Sequence, residues 1–398
     1  MSNAVNANAG LRESGKVRVD WIRSRMHLLA GVRTEFEETK PFDGRTIGVS
    51  LHVEPKTAVL METLAAGGAK IVGTGNYGST QDDIVAFLRA QGMEIIGRRD
   101  LSREEHCQNV EAVVEAKPEI LLDNGGDLNA AAVRLGLTDH VLGATEETTS
   151  GGDRLRRDYK DRIPFPIIVI NDSPLKQIVE NKHAVGEGAV ESIMRMTNLI
   201  INGRRFVVMG YGWCGRGIAQ YLKSFGAIVG VAEIDPIKAL EAVMDGFKVA
   251  TLADLAPWGQ FFITATAQEG VLGADVFDVM PDGAVLGNCG HFDTEIDVSA
   301  LRQRAVSSQR LGSSIELFTM PSGRSVALLS EGRMINLAGT EPKGNSIESM
   351  DLGFMLQAMS LERVASLSNT LTRGPQPVPA DINDTIARRM LRSMGADC

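Results

Sequence analysis

The feature that most restricts this chain is a glycine run, Gly210-Tyr211-Gly212-Trp213-Cys214-Gly215, set between the apolar stretch Phe206 to Met209 and a helix-like segment. A GxGxxG spacing at a strand-to-helix turn has a physical reading. The first glycine makes the tight turn, the second lets backbone N–H groups approach a pyrophosphate, and the third lets helix and strand pack closely. Such a site also needs an acid at the end of the next strand for the ribose hydroxyls. Glu233 ends Val-Gly-Val-Ala-Glu, 21 residues beyond Gly212 (233 − 212 = 21). Its carboxylate repels a 2′-phosphate, so the pattern predicts NAD rather than NADP. Lys238, one turn further on, is the residue placed to soften that preference.

The alternation extends through the chain. RTIGVSLHV (45–53), IVGTGN, MEIIGR, PEILLDNGGDL and PFPIIVIND read as strands, separated by helix-like stretches such as KTAVLMETLAAGGAK (56–70) and a capped helix in STQDDIVAFLRAQG. A long helical stretch is expected from Gln177 to Ile200, an antiparallel pair in SIELFTM and SVALLSEG, and a strongly helical stretch from Ile347 to Ser368. Residues 1 to about 15 read as a frayed arm. The βαβα order predicts an α/β fold with doubly wound, mainly parallel sheets.

With 43% hydrophobic and 23% charged residues over 398 positions, the chain can build real cores. The formal charge of −9 argues against nucleic acid or anionic membrane as partners. No apolar run approaches the ~20 residues of a membrane span, and no signal peptide is legible. Cys107, Cys214, Cys289 and Cys398 lie far apart with no CxxC pair, so neither a metal site nor a disulfide framework is expected, and a cytoplasmic home is.

The strings STQDD, LLDNGGDL, ATEETTSG, NDSPLK, GYGWCGRGIAQ, AEIDPIKALEA, GNCGHFDTEID and LLSEGRMINLAG resemble the adenosylhomocysteinase (S-adenosylhomocysteine hydrolase) family almost end to end. The resemblance implies a Rossmann-type NAD domain (187–341) inserted into a substrate-binding domain formed by 1–180 and a C-terminal part, 346–398. It also implies a reaction in which the ribose 3′-hydroxyl is transiently oxidised, C4′ is deprotonated, and a thiol leaves C5′ before water adds. A C4′–H is inert until an adjacent carbonyl can hold the carbanion as an enolate.

Carried onto this sequence, the resemblance makes His52, Glu147, Lys176 and His291 catalytic candidates, with Asn124 and Glu180 at positions of the same set. Thr148, Thr149, Ser150, Asn181, Asn288 and Asn336 join Gly210, Gly212, Trp213, Cys214, Gly215, Glu233 and Lys238 as cofactor candidates. Glu54, Lys56, Thr57, Gln81 and Lys343 fall at substrate-facing positions. A homo-oligomer, dimer or tetramer, is also implied, and the apolar residues all round the 347–368 helix point the same way.

The departures from the family cluster at the chemistry. Asn124 replaces an aspartate and cannot carry a proton as a carboxylate does. Glu180 replaces an aspartate, and Lys343 lies in a Pro-Lys-Gly that replaces a Gly-His-Pro. Lys56 stands where a glutamate accepts from the adenine amino group, and Glu54 where a threonine lines the same pocket. A cation with donors only suits a keto oxygen or a carboxylate. The expectation is therefore an NAD-dependent specialised relative acting on a nucleoside-like substrate by elimination and addition, or carbon–carbon chemistry, at C4′/C5′. The alternatives are a genuine hydrolase of S-adenosylhomocysteine or its inosine analogue, and a catalytically impaired NAD-binding regulator.

Overall fold

The structure, a computed structural model, describes residues 2–76, 78–290 and 293–396, with side chains from Ala9 onward. The chain divides into two compact units, Met1–Lys176 with Ile347–Cys398, and Gln177–Ser346. The division falls after Lys176, four residues short of the boundary expected at 180 (180 − 176 = 4).

The strands of the first unit are β1 (Thr46–Leu51), β2 (Lys70–Gly75), β3 (Glu94–Ile96), β4 (Ile120–Asp123), β5 (Gly143–Glu146) and β6 (Pro166–Val169). The second unit holds β7 (Arg205–Met209), β8 (Ile228–Ala232), β9 (Lys248–Val249), β10 (Phe261–Thr264), β11 (Ala284–Asn288), β12 (Ser307–Leu311), β13 (Ile315–Thr319) and β14 (Ser325–Leu329). Strand β15 (Gly374–Pro377) then returns to the first unit. The first sheet runs β15-β6-β5-β4-β1-β2-β3 and is parallel throughout. The second runs β12-β13-β14-β11-β10-β7-β8-β9, with β12 and β13 forming its antiparallel edge. Runs such as Ile-Leu-Leu-Asp in β4 and Phe-Phe-Ile-Thr in β10 are buried at every position, because helices cover both faces. The expected α/β class with two doubly wound sheets is what the chain forms.

Three local expectations need correction. Residues 2 to 15 are not a frayed arm; they begin a helix, Ser2–Arg23. Side-chain contacts fasten it: Arg18 binds Asp83, Arg23 binds Glu62, and a Cβ on Gly15 would lie 2.3 Å from the Asp83 carbonyl. The helix Asp82–Ala90 has no side-chain cap. Ser79 and Thr80 turn back onto the Asn76 carbonyl instead, and Gln81 is the N-cap residue. Finally, the helix Ile347–Leu367 buries Leu352, Phe354, Met355, Leu356 and Leu361 inside its own unit. There it packs on β4, β5 and the helices His27–Thr39, Pro55–Ala66 and Ala380–Ser393. Its all-round apolar character needs no second copy of the chain.

The stretch from Gln177 is helical as expected, but starts as a π-helix, Gln177–Ala184, before the α-helix Val185–Thr197. Among the described residues, no helix is long and apolar enough to cross a membrane.

Candidate active site

The order β5-β4-β1-β2 puts the first sheet's topological switch point between β1 and β4, where connections leave in opposite directions and open a crevice at the strands' C-terminal ends. His52 follows β1, Asn76 follows β2, Asn124 follows β4 and Glu147 follows β5. Lys176 comes after β6 and the 3-10 turn Ile170–Asp172. The sheet thus collects these side chains from distant points of the sequence at one edge.

They form a directed line. Lys176 Nζ lies 3.6 Å from Glu147 Oε1, and Glu147 Oε2 accepts from Asn124 Nδ2 at 2.8 Å. Asn124 Oδ1 in turn accepts from Asn76 Nδ2 at 2.8 Å. Because a carboxylate only accepts, Glu147 fixes which way the Asn124 amide points. Lys176, Glu147 and Asn124 are all buried, so the ammonium and carboxylate face each other with little water to screen them. Asn76 carried no sequence signal beyond its place at a strand end.

His52 Nδ1 sits 2.6 Å from Ser79 Oγ, which itself donates to the Asn76 carbonyl at 3.2 Å. A Ser79 hydroxyl that donates to Asn76 can accept from an Nδ1–H, the tautomer that leaves Nε2 as the basic nitrogen. Burial holds the imidazole below its ordinary pKa of 6.5, opposed in part by the negative charges of Glu147 and Glu54.

Glu54 is the N-cap residue of the helix Pro55–Ala66, and Lys56 and Thr57 stand in its first turn. Lys56 Nζ lies 3.3 Å from Glu54 Oε2. Both Lys56 and Thr57 are buried. Gln81 accepts from Arg18 of the N-terminal helix, and its backbone N–H donates to Val53.

Beneath the line lie two buried acids, Asp123 and Glu146, adjacent in register on β4 and β5. Desolvation pushes both carboxyls upward, aided at Asp123 by the charge of Asp127 and at Glu146 by that of Asp123. Thr148 caps the short helix Thr149–Arg154 by accepting from Gly151 N–H, and Asn171 donates to Thr149.

The remaining candidates lie on the second unit. Glu180 is buried and Asn181 half-buried in the π-helix Gln177–Ala184. Lys343 stands 3.7 Å from Glu341 with most of its side chain exposed. His291 lies outside the described residues.

The glycine loop meets the demands of a dinucleotide. Gly210, at φ +90°, has no room for a Cβ, which would lie 2.7 Å from the Ala265 carbonyl. A Cβ on Gly215 would come to 2.0 Å from the Gly210 carbonyl, so the helix Trp213–Ser224 can start against β7 only with glycine there. Gly212 opens on space with nothing within 4 Å of a Cβ. Glu233 Oε2 accepts from Tyr211 N–H at 2.6 Å, and Oε1 accepts from Ile234 and Asp235 N–H, so the acid is locked beside the loop. Lys238 pairs with Asp235 at 3.5 Å. The Trp213 ring is covered by the Arg216 guanidinium at 4.6 Å, while Cys214 packs against the core.

Asn288 is committed to protein: it accepts from Thr264 and Gly290 N–H and donates to the Gly332 carbonyl. Asn336 is buried, and its backbone carbonyl accepts from Gly344. The nearby Cys289 thiol is pushed up by burial and is no nucleophile.

Fold and site together define a two-unit α/β protein with a dinucleotide-type glycine loop on one sheet and a buried Lys–Glu–Asn cluster at the C-terminal edge of the other. Residues 181–341 match the model for the S-adenosyl-L-homocysteine hydrolase NAD-binding domain, and residues 4–137 match the S-adenosyl-L-homocysteine hydrolase model. The chain belongs to the S-adenosyl-L-homocysteine hydrolase family, the adenosylhomocysteinases. It is 41% identical to an S-inosyl-L-homocysteine hydrolase of Methanopyrus kandleri, over 97% of this chain and 92% of the relative. It is 40% identical to an adenosylhomocysteinase of Pyrococcus abyssi, over the same shares. Among solved structures, a dipicolinate synthase chain from Bacillus halodurans shares the fold, with TM-score 0.50 at 12% identity, over 82% of this chain and 100% of that one.

Proposed function

We propose that the protein is a hydrolase of a purine-ribosyl homocysteine thioether, with S-inosyl-L-homocysteine preferred over S-adenosyl-L-homocysteine. Relatives matched over nearly their full length carry hydrolase names, which favours hydrolysis over the specialised carbon–carbon chemistry. Their identities, 41% and 40%, are too close to decide the base. The ion pair of Lys56 and Glu54 carries that part. In the pose the family resemblance implies, position 6 of the base faces Lys56: hypoxanthine O6 accepts from the ammonium and its N1–H donates to Glu54. Adenine in that pose sets its N6 donor against the ammonium and its N1 acceptor against the carboxylate.

Bound NAD supplies reversible oxidation at the ribose 3′-carbon. Lys176 serves the 3′-hydroxyl proton, with Glu147 holding the amine in place and balancing its charge. Asn124 orients Glu147 without titrating. His52, with its basic Nε2, handles the proton of the leaving sulfur and of the entering water at C5′. The retained Lys176, Glu147 and His52 argue against an inert regulator. Thr148, Thr149, Ser150, Asn181, Asn336 and Lys238 are proposed to contact the cofactor, and Glu180, Thr57, Gln81 and Lys343 to serve the substrate. A homo-oligomer is proposed on the family resemblance, and light scattering tests it. A reducing cytoplasm suits Cys107, Cys214 and Cys289, which carry no disulfide.

The test is homocysteine release from both thioethers. The expected result is at least about tenfold higher kcat/KM for the inosine form, the discrimination that one unmatched polar contact supplies. A preference for the adenosine form overturns the base assignment, and hydrolysis of neither overturns the hydrolase reading.

A further inference from the structure

Two loops carry the line from Asn76 to Lys176, and both are wrapped around one carboxylate that faces away from the crevice's side chains. Glu146 ends β5 and is fully buried. Its Oε2 accepts from Gly126 N–H at 2.9 Å. Its Oε1 accepts from Gly125 N–H at 3.0 Å, Thr148 N–H at 2.8 Å and Thr148 Oγ1 at 2.7 Å. Gly125 and Gly126 both have positive φ, +88° and +76°, a backbone path that turns their consecutive N–H groups onto the carboxylate. From the other side, Gly151 lies so close that a Cβ there would be 2.3 Å from Glu146 Oε1.

Each loop departs one residue from a site side chain. Asn124 precedes Gly125, and Glu147 lies between Glu146 and Thr148. The hydrogen bond between Asn124 and Glu147, at 2.8 Å, therefore spans the two loops that Glu146 ties together. Asp123 completes the arrangement on the neighbouring strand, accepting from Asn124 N–H and from Asn129.

We infer that Glu146 is a positioning residue for the reaction: its carboxylate clamps the β4 and β5 loops so that Asn124 and Glu147 stay in register with Lys176. The inference rests on the hydrolase reading for its kinetic consequence, but the clamp itself can be read without activity. A misplacement of about 1 Å at a reacting group costs on the order of a hundredfold in rate, whereas substrate contacts from the Glu54–Lys56 helix do not pass through these loops.

The experiment uses full-length, NAD-loaded protein and two variants, Glu146→Gln and Gly151→Ala. The glutamine keeps the shape but replaces one acceptor oxygen with a donor that meets N–H groups. The alanine leaves Glu146 in place and pushes on it. The expected result for either is a kcat reduced about tenfold to a hundredfold, KM within about threefold of the parent, and NAD still bound through the Gly210–Gly215 loop and Glu233 even as the contacts proposed for Thr148, Thr149 and Ser150 loosen. Hydrogen exchange should quicken at residues 124–126 and 147–151 and stay as in the parent elsewhere. Glu146→Asp, which keeps the charge, should regain part of the lost kcat. If Glu146→Gln does not fold, Gly151→Ala alone gives the reading. The inference is overturned if the folded variants keep kcat within twofold, or if kcat, KM and bound NAD fail together. Should the parent hydrolyse neither thioether, the hydrolase reading falls. The exchange data then still decide the clamp, and unchanged protection of the two loops rejects it.

Discussion

Glu54 and Lys56 stand two residues apart at the start of one helix and form an ion pair 3.3 Å across, although each departs from the family pattern when considered alone. The two changes belong together. Removing one partner of a buried ion pair typically costs about 3–5 kcal/mol, so a change at either residue bears on the other. With the partner present, the pair offers one donor group and one acceptor group side by side.

Base preference should therefore respond to the pair and not to either residue singly. Lys56→Glu alone sets two carboxylates against each other, and we expect it to lose activity on both thioethers. The double change Glu54→Thr, Lys56→Glu should shift the kcat/KM ratio toward the adenosine thioether by about tenfold to several hundredfold, since an unmatched buried contact costs ~1–3 kcal/mol. Steady-state kinetics on parent, single and double variants checks this. An unchanged ratio in the double variant removes the pair from base recognition.

Lys176 lies 3.6 Å from Glu147 at the end of the hydrogen-bonded line. Lys176→Ala should abolish the appearance of enzyme-bound NADH on mixing with substrate, slowing it by ~10²–10⁴, the range for loss of a positioned proton carrier. Bound NAD measured after denaturation should stay at the parent level. NADH forming at the parent rate would assign the 3′-hydroxyl proton elsewhere.

Gly215→Ala tests the cofactor loop. The added Cβ would meet the Gly210 carbonyl at 2.0 Å, and backbone on both sides cannot move without opening the turn. We expect purified protein with most of its NAD lost. Retention of stoichiometric NAD would show that the helix can shift along β7 without harm to the site.

Most strands of the two sheets were legible because they are apolar runs closed by small residues, and the Gly210 loop with Glu233 was legible because strand, glycine spacing and acid occur together; β12, Ser-Ser-Gln-Arg-Leu and exposed throughout, was not. Nor were other features. Strand β15 is Gly-Pro-Gln-Pro, whose prolines argue against a strand; they are tolerated because β15 is the sheet's edge and leaves one side unpaired. The N-terminal helix exposes Leu11, Val17 and Trp21 while burying Val19, so no clean apolar stripe announces it, and ion pairs to Glu62 and Asp83 far along the chain help to hold it. Glu146 reads as an ordinary acid before a helix, and only the fold shows that it turns inward while Glu147 faces the crevice.

Asp351 supplies a cap that no local pattern announces. The helix His27–Thr39 has Met26 at its N-cap and no side-chain cap of its own, but Asp351 accepts from Leu28 and Leu29 N–H at 2.8 Å each. Asp351→Ala should lower unfolding stability by about 1–2 kcal/mol, the scale of a lost N-cap. Denaturant titration of the two proteins side by side checks it, and a difference under about 0.3 kcal/mol would show that water replaces the carboxylate at no cost.

The last prediction concerns His52 and follows from its surroundings. Burial disfavours the imidazolium and sets the folded pKa below 6.5, while Glu147 and Glu54 pull it back upward. Removing one of those negative charges must lower it further, so Glu54→Gln should move the His52 titration, followed by NMR, to lower pH. The sign for stability follows from linkage. The unfolded chain takes up the proton more readily than the folded one, so the stability tied to neutral His52 is complete above pH 6.5 and declines as pH falls through and below that value. For catalysis, a base that is neutral at pH 7 gives a kcat/KM that is flat near neutrality and falls on an acid limb below 6.5. A limb above pH 7, or a titration that moves upward in Glu54→Gln, would mean that His52 is not the group whose charge the crevice controls.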